Sequence, residues 1–364
     1  MANDPVAIVG MGTWLPERIR TNDDWPASFS KREEQTGDRT FNDISPSEDP
    51  VAQAILARDL MAEASDPFLG GKERRIAPEN MMAAEAEALA GRVALAEAGL
   101  SGADVDLVIS HAIVPDRISP PSAVSVAHLV GARGATALGV DAACASAILH
   151  VEIARAYIES GLAKVVLLTQ SHLLMRAFPM SHPASPGLGD GATALVVARG
   201  PGLIVRSTFG VTHGEHALSV TWVRGHEDHD DLPWWEAGGD FRMGTRSSAG
   251  AKFLMRETVN YGAATVREAA DRASVDVERI GVLASVQPRG FIPHAIAERL
   301  GLPRDRAVTT YEEIAHVGVC GPVFNLVAAR ERGRLTPGTI AALYGQGAGF
   351  TRSAALLEVT APAP

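Results

Sequence analysis

The sequence predicts an α/β protein made of two duplicated halves, and three observations carry that prediction. Short apolar strands alternate with helical patterns along all 364 residues. The helical patterns stop at glycines. Two strand–turn–helix units also agree in register: Gly161 follows Cys144 by 17 positions, and Gly333 follows His316 by 17. Each glycine leads into a hydrophobic strand, Val165-Val166-Leu167-Leu168 or Ile340-Ala341-Ala342-Leu343-Tyr344. Duplication accounts for the match. It divides the chain into an N-terminal half over 1–200, carrying Cys144, and a C-terminal half over 201–364, carrying His316. A pseudo-two-fold axis then sets the two turns side by side.

The elements follow in order. Residues 6–10 read as a buried first strand, and 21–68 as an irregular surface excursion with mixed charge and several prolines. A helix over 80–98 ends at Gly99. Strands are expected at 105–110 and 135–140, with a short helix over 122–130 between them. The helix after Cys144 runs over 145–160, followed by strands at 164–169 and 193–197. The second half reads as a strand at 203–207, an acidic and aromatic loop over 225–240, and a helix over 250–273 with a break at Gly262. A strand at 280–286 and helices over 293–300 and 322–332 lead to closing strands at 339–344 and 354–359.

Composition narrows the function. A formal charge of −10 argues against nucleic acid or anionic membrane as a partner. Two cysteines make no disulfide framework. No apolar run reaches the roughly 18 residues of a membrane span, and the first residues lack a signal pattern. A cytoplasmic protein is expected.

Cys144 lies at a strand-to-helix turn, where free N–H groups and the helix dipole favour a thiolate. Free cysteines are commonly packing residues, and the turn position argues for a nucleophile instead. His316, in register with it, supplies a base. Gly345-Gln346-Gly347-Ala348-Gly349-Phe350 follows a strand and can present an oxyanion-hole N–H. Gly10-x-Gly12 lacks the third glycine of a dinucleotide fingerprint. His226-Glu227-Asp228-His229-Asp230-Asp231 reads as a solvated loop rather than a cation site, so no metal is expected. Trp234 and Trp235 beside it can cover a site or make an interface. Cys320 reads as packing. His182 and His294 are weaker candidates.

Asp141-Ala142-Ala143-Cys144-Ala145-Ser146-Ala147 resembles the nucleophile motif of ketosynthase III enzymes in the thiolase superfamily. Gly189-Asp190-Gly191-Ala192 is similar to that family's Gly-Asp-Gly-Ala strand, Gly347-Ala348-Gly349-Phe350-Thr351 to its C-terminal Gly-rich turn, and Gly71-Lys72-Glu73-Arg74-Arg75-Ile76 to the segment before its first long helix. The likeness spans nearly the whole chain, with about 27–68 as an insertion. It implies a thiolase-like, five-layered α/β/α/β/α fold and a homodimer. It also implies an acyl thioester on Cys144, loaded from acyl-CoA or acyl carrier protein, and an oxyanion hole from the N–H groups of Cys144 and Ala348. Coenzyme A or a phosphopantetheine thioester is then a substrate carrier, and no permanently bound cofactor is expected. Trp25 is a candidate adenine platform or a core residue.

Two departures from the family pattern set the expected chemistry. Val286-Gln287-Pro288-Arg289-Gly290 stands where the family has His-Gln-Ala-Asn, so Gln287 or Val286 replaces the histidine. Ala315-His316-Val317-Gly318 stands where it has Gly-Asn-Thr-Ser, and looks closer to the Gly-His motif of thiolases. The expected catalytic set is Cys144, Gln287 and His316, with Gln287 donating a hydrogen bond and His316 acting as base. This fits an acyltransferase passing its acyl group to a small-molecule hydroxyl, amine or carbon nucleophile in natural-product biosynthesis. The alternatives are Claisen condensation to a 3-oxoacyl product and a non-catalytic partner subunit.

Overall fold

The computed structural model describes residues 4–26, 47–178, 184–224 and 241–360, with isolated positions 180, 182, 236 and 239. The His226–Asp231 stretch, Trp234 and Trp235 lie outside the described residues.

The N-terminal half begins with strand β1 (Val6–Trp14) and a ribbon of β2 (Ile19–Thr21) with β3 (Glu73–Arg75). Helix α1 (Pro50–Glu63) lies between β2 and β3 in sequence. Then come α2 (Ala83–Glu97), β4 (Leu107–Ala112), α3 (Ser122–Val130), β5 (Thr136–Gly139), α4 (Ser146–Glu159), β6 (Val165–His172) and β7 (Gly191–Arg199). The C-terminal half runs β8 (Leu203–Thr212), a ribbon of β9 (Thr221–Arg224) and β10 (Phe241–Gly244), α5 (Ser248–Ala273), β11 (Ile280–Ser285), α6 (Ile292–Arg299), β12 (Ala307–Val308), α7 (Tyr311–Ile314), α8 (Gly321–Glu331), β13 (Ile340–Gln346) and β14 (Thr351–Val359).

The main sheet has the order β12-β11-β13-β14-β8-β1-β7-β6-β4-β5. It is two five-stranded sheets joined at their edges, because β1 meets β8 through only Ala7↔Ile204 and Ile8↔Leu203. Each five has the same pattern. β4 is parallel to β5 and β6 as β11 is to β12 and β13, and β7 and β14 are antiparallel to both neighbours. The parallel strands are apolar on both faces, as strands covered on both sides must be. Helices α4 and α8 occupy the centre and touch strands of both halves. Ile148, Val151, Val323 and Leu326 on these helices share one core with Leu168, Leu343 and Leu357. A second core lies under α2 and α3, and a third under α1, α5 and α6. Helix, sheet, central helices, sheet and helix give the thiolase-like α/β/α/β/α layering.

Gly10 and Gly12 bring β1 against the Ala-rich α2. A Cβ on either would sit 2.2 or 2.1 Å from the carbonyl oxygens of Ala94 and Ala90.

Two sequence expectations need correction. The described part of 21–68 is not only a surface excursion, since α1 is N-capped by Asp49 and buries Ala52, Ile55 and Leu56. It is also tied to the C-terminal half by Arg58–Glu298, Arg299–Asp49, Arg304–Asp59 and Arg289–Glu63 ion pairs. Helix α5 does not break at Gly262, whose missing side chain instead admits Ile296; a Cβ there would lie 2.8 Å from Ile296 Cδ1.

Candidate active site

Cys144 sits in a single 3-10 turn, Ala143–Ala145, between β5 and α4. Side chains build this turn. The Ala143 N–H donates to Asp141 Oδ1 at 2.7 Å. Ser146 Oγ accepts from the Ala142 N–H and donates to the Ala143 carbonyl, both at 2.8 Å. Ser353 Oγ donates to the Ala145 carbonyl at 3.1 Å. One nitrogen of His150 bonds the Val140 carbonyl at 2.9 Å, and the other faces the Gln170 amide. Ala143 takes φ +49°, a left-handed conformation unusual for a residue with a Cβ.

The sequence places the Cys144 thiol where a helix N-terminus favours the thiolate. The structure reverses that. Cys144 keeps part of its surface open, yet protein surrounds it closely enough that burial, with the Asp141 charge, pushes its pKa up to about 12. Its own main-chain N–H acts in the opposite direction and is outweighed. At rest the Cys144 side chain is a thiol.

The second turn, Gly318–Cys320 before α8, packs against the first. Gly318 has φ +52°, matching Ala143. The structural counterpart of Cys144 is therefore Val319, and His316 stands three residues earlier. The equal spacing of 17 arises because α8 has 11 residues where α4 has 14. The duplication is real, but the residue-for-residue register of Cys144 with His316 is not.

His316 is held by strand-like bonds. Its N–H donates to the Gly187 carbonyl at 2.9 Å, and its carbonyl accepts from the Gly189 N–H at 3.0 Å. Gly189 must be glycine, since a Cβ would fall 2.1 Å from the Ile314 carbonyl oxygen. Next to it, Asp190 accepts from the N–H groups of Ala77 and Met175 and fixes the loop. Burial lowers the pKa of the His316 imidazole to about 4, so the ring is neutral at pH 7. Its Nδ1 is buried with no partner among the described residues.

The Gly-rich segment lies behind the nucleophile. A Cβ on Gly347 would lie 2.3 Å from the Ala142 carbonyl oxygen, and one on Gly345 2.9 Å from that of Cys144. Gly349, at φ +74°, lets the chain turn directly after Ala348. Ala348 thus follows a residue in contact with the nucleophile turn.

Gln287 requires a correction. Its amide is fully buried and committed: Nε2 donates to Thr310 Oγ1 and the Ala315 carbonyl, at 3.2 and 2.9 Å. Oε1 accepts from Thr309 Oγ1, the Thr310 N–H and Asn325 Nδ2. No donor is left for a substrate. Gln287 instead holds Ala315, the residue before His316. Val286 is buried and apolar. Of the two readings of Trp25, the structure fits the core residue. It is buried edge-on to Phe68, with the Arg20 and Arg74 guanidinium groups over its ring at 5.4 and 5.1 Å. That leaves no open face for an adenine. His294 bonds the Arg304 carbonyl, and Cys320 is buried as expected.

Sequence reasoning missed His111, His150 and His172, which the strand ends and α4 gather around the two turns. His111 Nδ1 lies 3.3 Å from Asp141 Oδ1. Histidines at the C-terminal ends of two parallel strands, β4 and β6, were the available signal.

Residues 138–212 match the family model for 3-oxoacyl-[acyl-carrier-protein (ACP)] synthase III, and residues 270–359 match the model for its C-terminal region. The chain is 27% identical over 356 residues to a β-ketoacyl-[acyl-carrier-protein] synthase III of Bordetella petrii, covering 97% of each chain. In fold it is similar to 3-oxoacyl-[acyl-carrier-protein] synthase III from Aquifex aeolicus, with TM-score 0.75, 24% identity, and 97% and 99% of the two chains covered. It is similarly close to the priming β-ketosynthase of a polyketide biosynthetic pathway, with TM-score 0.77, 22% identity, and 99% and 97% covered.

Proposed function

The chain is a ketosynthase III-like member of the thiolase superfamily, and from that premise we propose that it moves an acyl group from a carrier thioester, through Cys144, to an acceptor that His316 deprotonates. The thiol of Cys144 attacks the thioester carbonyl of acyl-CoA or acyl carrier protein. The C–S bond to the carrier breaks, and the thiol proton leaves with the carrier thiol. N–H groups of Cys144 and Ala348 stabilise the oxyanion of the tetrahedral intermediate. The neutral His316 then takes a proton from the acceptor, which attacks the acyl thioester; the C–S bond to Cys144 breaks, and His316 returns the proton to the departing thiolate, restoring the thiol and the neutral ring. The acceptor is a small-molecule hydroxyl, amine or carbon acid of natural-product biosynthesis. The working unit is a cytoplasmic homodimer.

One observation carries this reading. Decarboxylative elongation of a malonyl thioester needs two donors aimed at one enolate oxygen. Here the motif expected to supply one of them offers a buried Val286 and a Gln287 amide committed to Thr309, Thr310, Ala315 and Asn325. An acid–base role for His316 remains.

The likeness to β-ketoacyl synthases favours a second reading, in which the acceptor is a carbanion and the product a 3-oxoacyl thioester. Incubation with acyl donors, then with malonyl thioester or with hydroxyl and amine acceptors, separates the two. Discharge of acyl-Cys144 without carbon dioxide release supports acyl transfer. Stoichiometric carbon dioxide supports condensation.

A further inference from the structure

The last residue of β6, His172, is buried beside His316, their rings edge-to-face with centroids 5.7 Å apart and planes at 62°. Its Nδ1 donates to the Gly189 carbonyl at 2.8 Å, because a carbonyl can only accept. That bond fixes the tautomer, leaving Nε2 without a proton in the neutral ring. Gly189 is also the residue whose N–H holds the His316 carbonyl. One peptide unit after another therefore links the two histidines through Gly189. From the other side, Gly318 closes on the His172 ring: a Cβ there would lie 2.2 Å from Cδ2 and 2.8 Å from Nε2. The ring thus fills the space between β6 and the Gly318–Cys320 turn that follows His316.

We propose that His172 is a positioning residue for His316: it fixes the orientation of that imidazole, and by excluding water it sets the pH range over which His316 accepts the acceptor's proton. This rests on the acyl-transfer reading above. The titratable groups facing His172 are His316, from the segment just before the Gly318–Cys320 turn, and His111, from β4, which is paired with Asp141. Among the described residues no carboxylate bonds either His172 or His316. Burial first, then His316, lowers the pKa of His172 to about 3, so a second positive charge does not form beside His316 during turnover.

The test separates loading from discharge. Cys144 is first acylated with an acyl-CoA panel, and discharge to acceptor is followed from pH 4.5 to 8.5 in wild type and in His172→Asn, His172→Phe and His172→Ala. Failure of wild type to load sinks the underlying reading before His172 is tested. All variants should load fully. His172→Phe should discharge ten- to a hundredfold more slowly through misorientation, with the pH limb unmoved because the site stays dry. His172→Ala should move the acidic limb up by about one pH unit as water reaches His316. His172→Asn keeps a donor for Gly189 and should lie nearest wild type. Unchanged discharge and an unchanged limb in both His172→Phe and His172→Ala would overturn the proposal. If those variants do not fold, nitrogen-15 histidine spectra of wild type decide. A neutral, Nδ1-protonated His172 throughout the range supports the proposal, and a cationic or Nε2-protonated ring rejects it.

Discussion

The turns before α4 and α8 are the same backbone put to different uses. Both are single 3-10 turns entered through a left-handed residue, Ala143 in one and Gly318 in the other. Both are anchored by a buried polar residue at the fifth position of the following helix. In the N-terminal half His150 bonds the Val140 carbonyl and Gln170, just below the nucleophile. In the C-terminal half Asn325 bonds the Ser285 carbonyl, Gln287 and Thr310. The first anchor leaves the turn's own residue, Cys144, facing the site. The second leaves Val319 buried there, and the proposed base, His316, lies outside the turn. Duplication therefore sets where the backbone goes, and the local bonding of side chains decides which residue faces the site.

The largest effects should come from breaking the division of labour between the turns. Cys144→Ala should abolish the acyl adduct and lower turnover by about 10³-fold or more. His316→Ala should still load Cys144 but discharge it about 10²- to 10⁴-fold more slowly. Intact mass and single-turnover discharge read these two outcomes separately. Equal loss of loading in both would mean that the turns act as one unit.

Gln287→Leu tests the reassignment of that residue. It removes the partner of one Asn325 amide N–H, of the Thr310 N–H and of the Ala315 carbonyl, and should cost about 2–4 kcal/mol in denaturant unfolding. If Gln287 touched substrate instead, stability would hold while discharge alone fell.

The paired left-handed residues should respond in opposite directions. Gly318→Ala drives a Cβ into His172 and should cost about 3 kcal/mol. Ala143→Gly relieves the strained φ and should change stability by about 1 kcal/mol or less. Similar losses in both would show that the turns are not equivalent.

A further effect is on pH dependence. Burial lowers the pKa values of His150 and His316 to about 4 and of His172 to about 3, below the unfolded value of about 6.5. The unfolded chain then binds more protons in this range. Their contribution to stability is present above pH 6.5 and is lost as pH falls towards 4. Glu87, buried among Ser110, Thr169 and Ser171, opposes this. Burial raises its pKa to about 7, so its contribution is present below about pH 4.5 and is lost as pH rises through 7. Melting curves from pH 4.5 to 7.5 should show a net gain with pH, flattened in His150→Gln.

Much of the fold is legible in the sequence because the parallel strands are continuous apolar runs and the helices stop at glycines. Cys144 is legible for the same reason, as a reactive residue between two strongly patterned elements. Helix α1 is less so, although Asp49-Pro50 is a capping signal, because apolar residues fall on both of its faces: Ala52, Ile55 and Leu56 are buried while Val51 and Met61 are exposed. Gln287 could not be read correctly, and Trp25 could not be settled between a core residue and an adenine platform. Their roles depend on partners distant in sequence, Asn325 for one and Arg74 and Phe68 for the other. The thiol's protonation was misread because helix position is local whereas burial is not.

The central claim is tested most directly by the mass of the Cys144 peptide in wild type and His316→Ala after incubation with a panel of acyl-CoA and acyl-carrier donors, followed by acceptor. The account predicts one acyl adduct on Cys144 in both proteins, discharged by acceptor in wild type and retained in His316→Ala. No adduct on Cys144, or equal discharge in the two proteins, would contradict it.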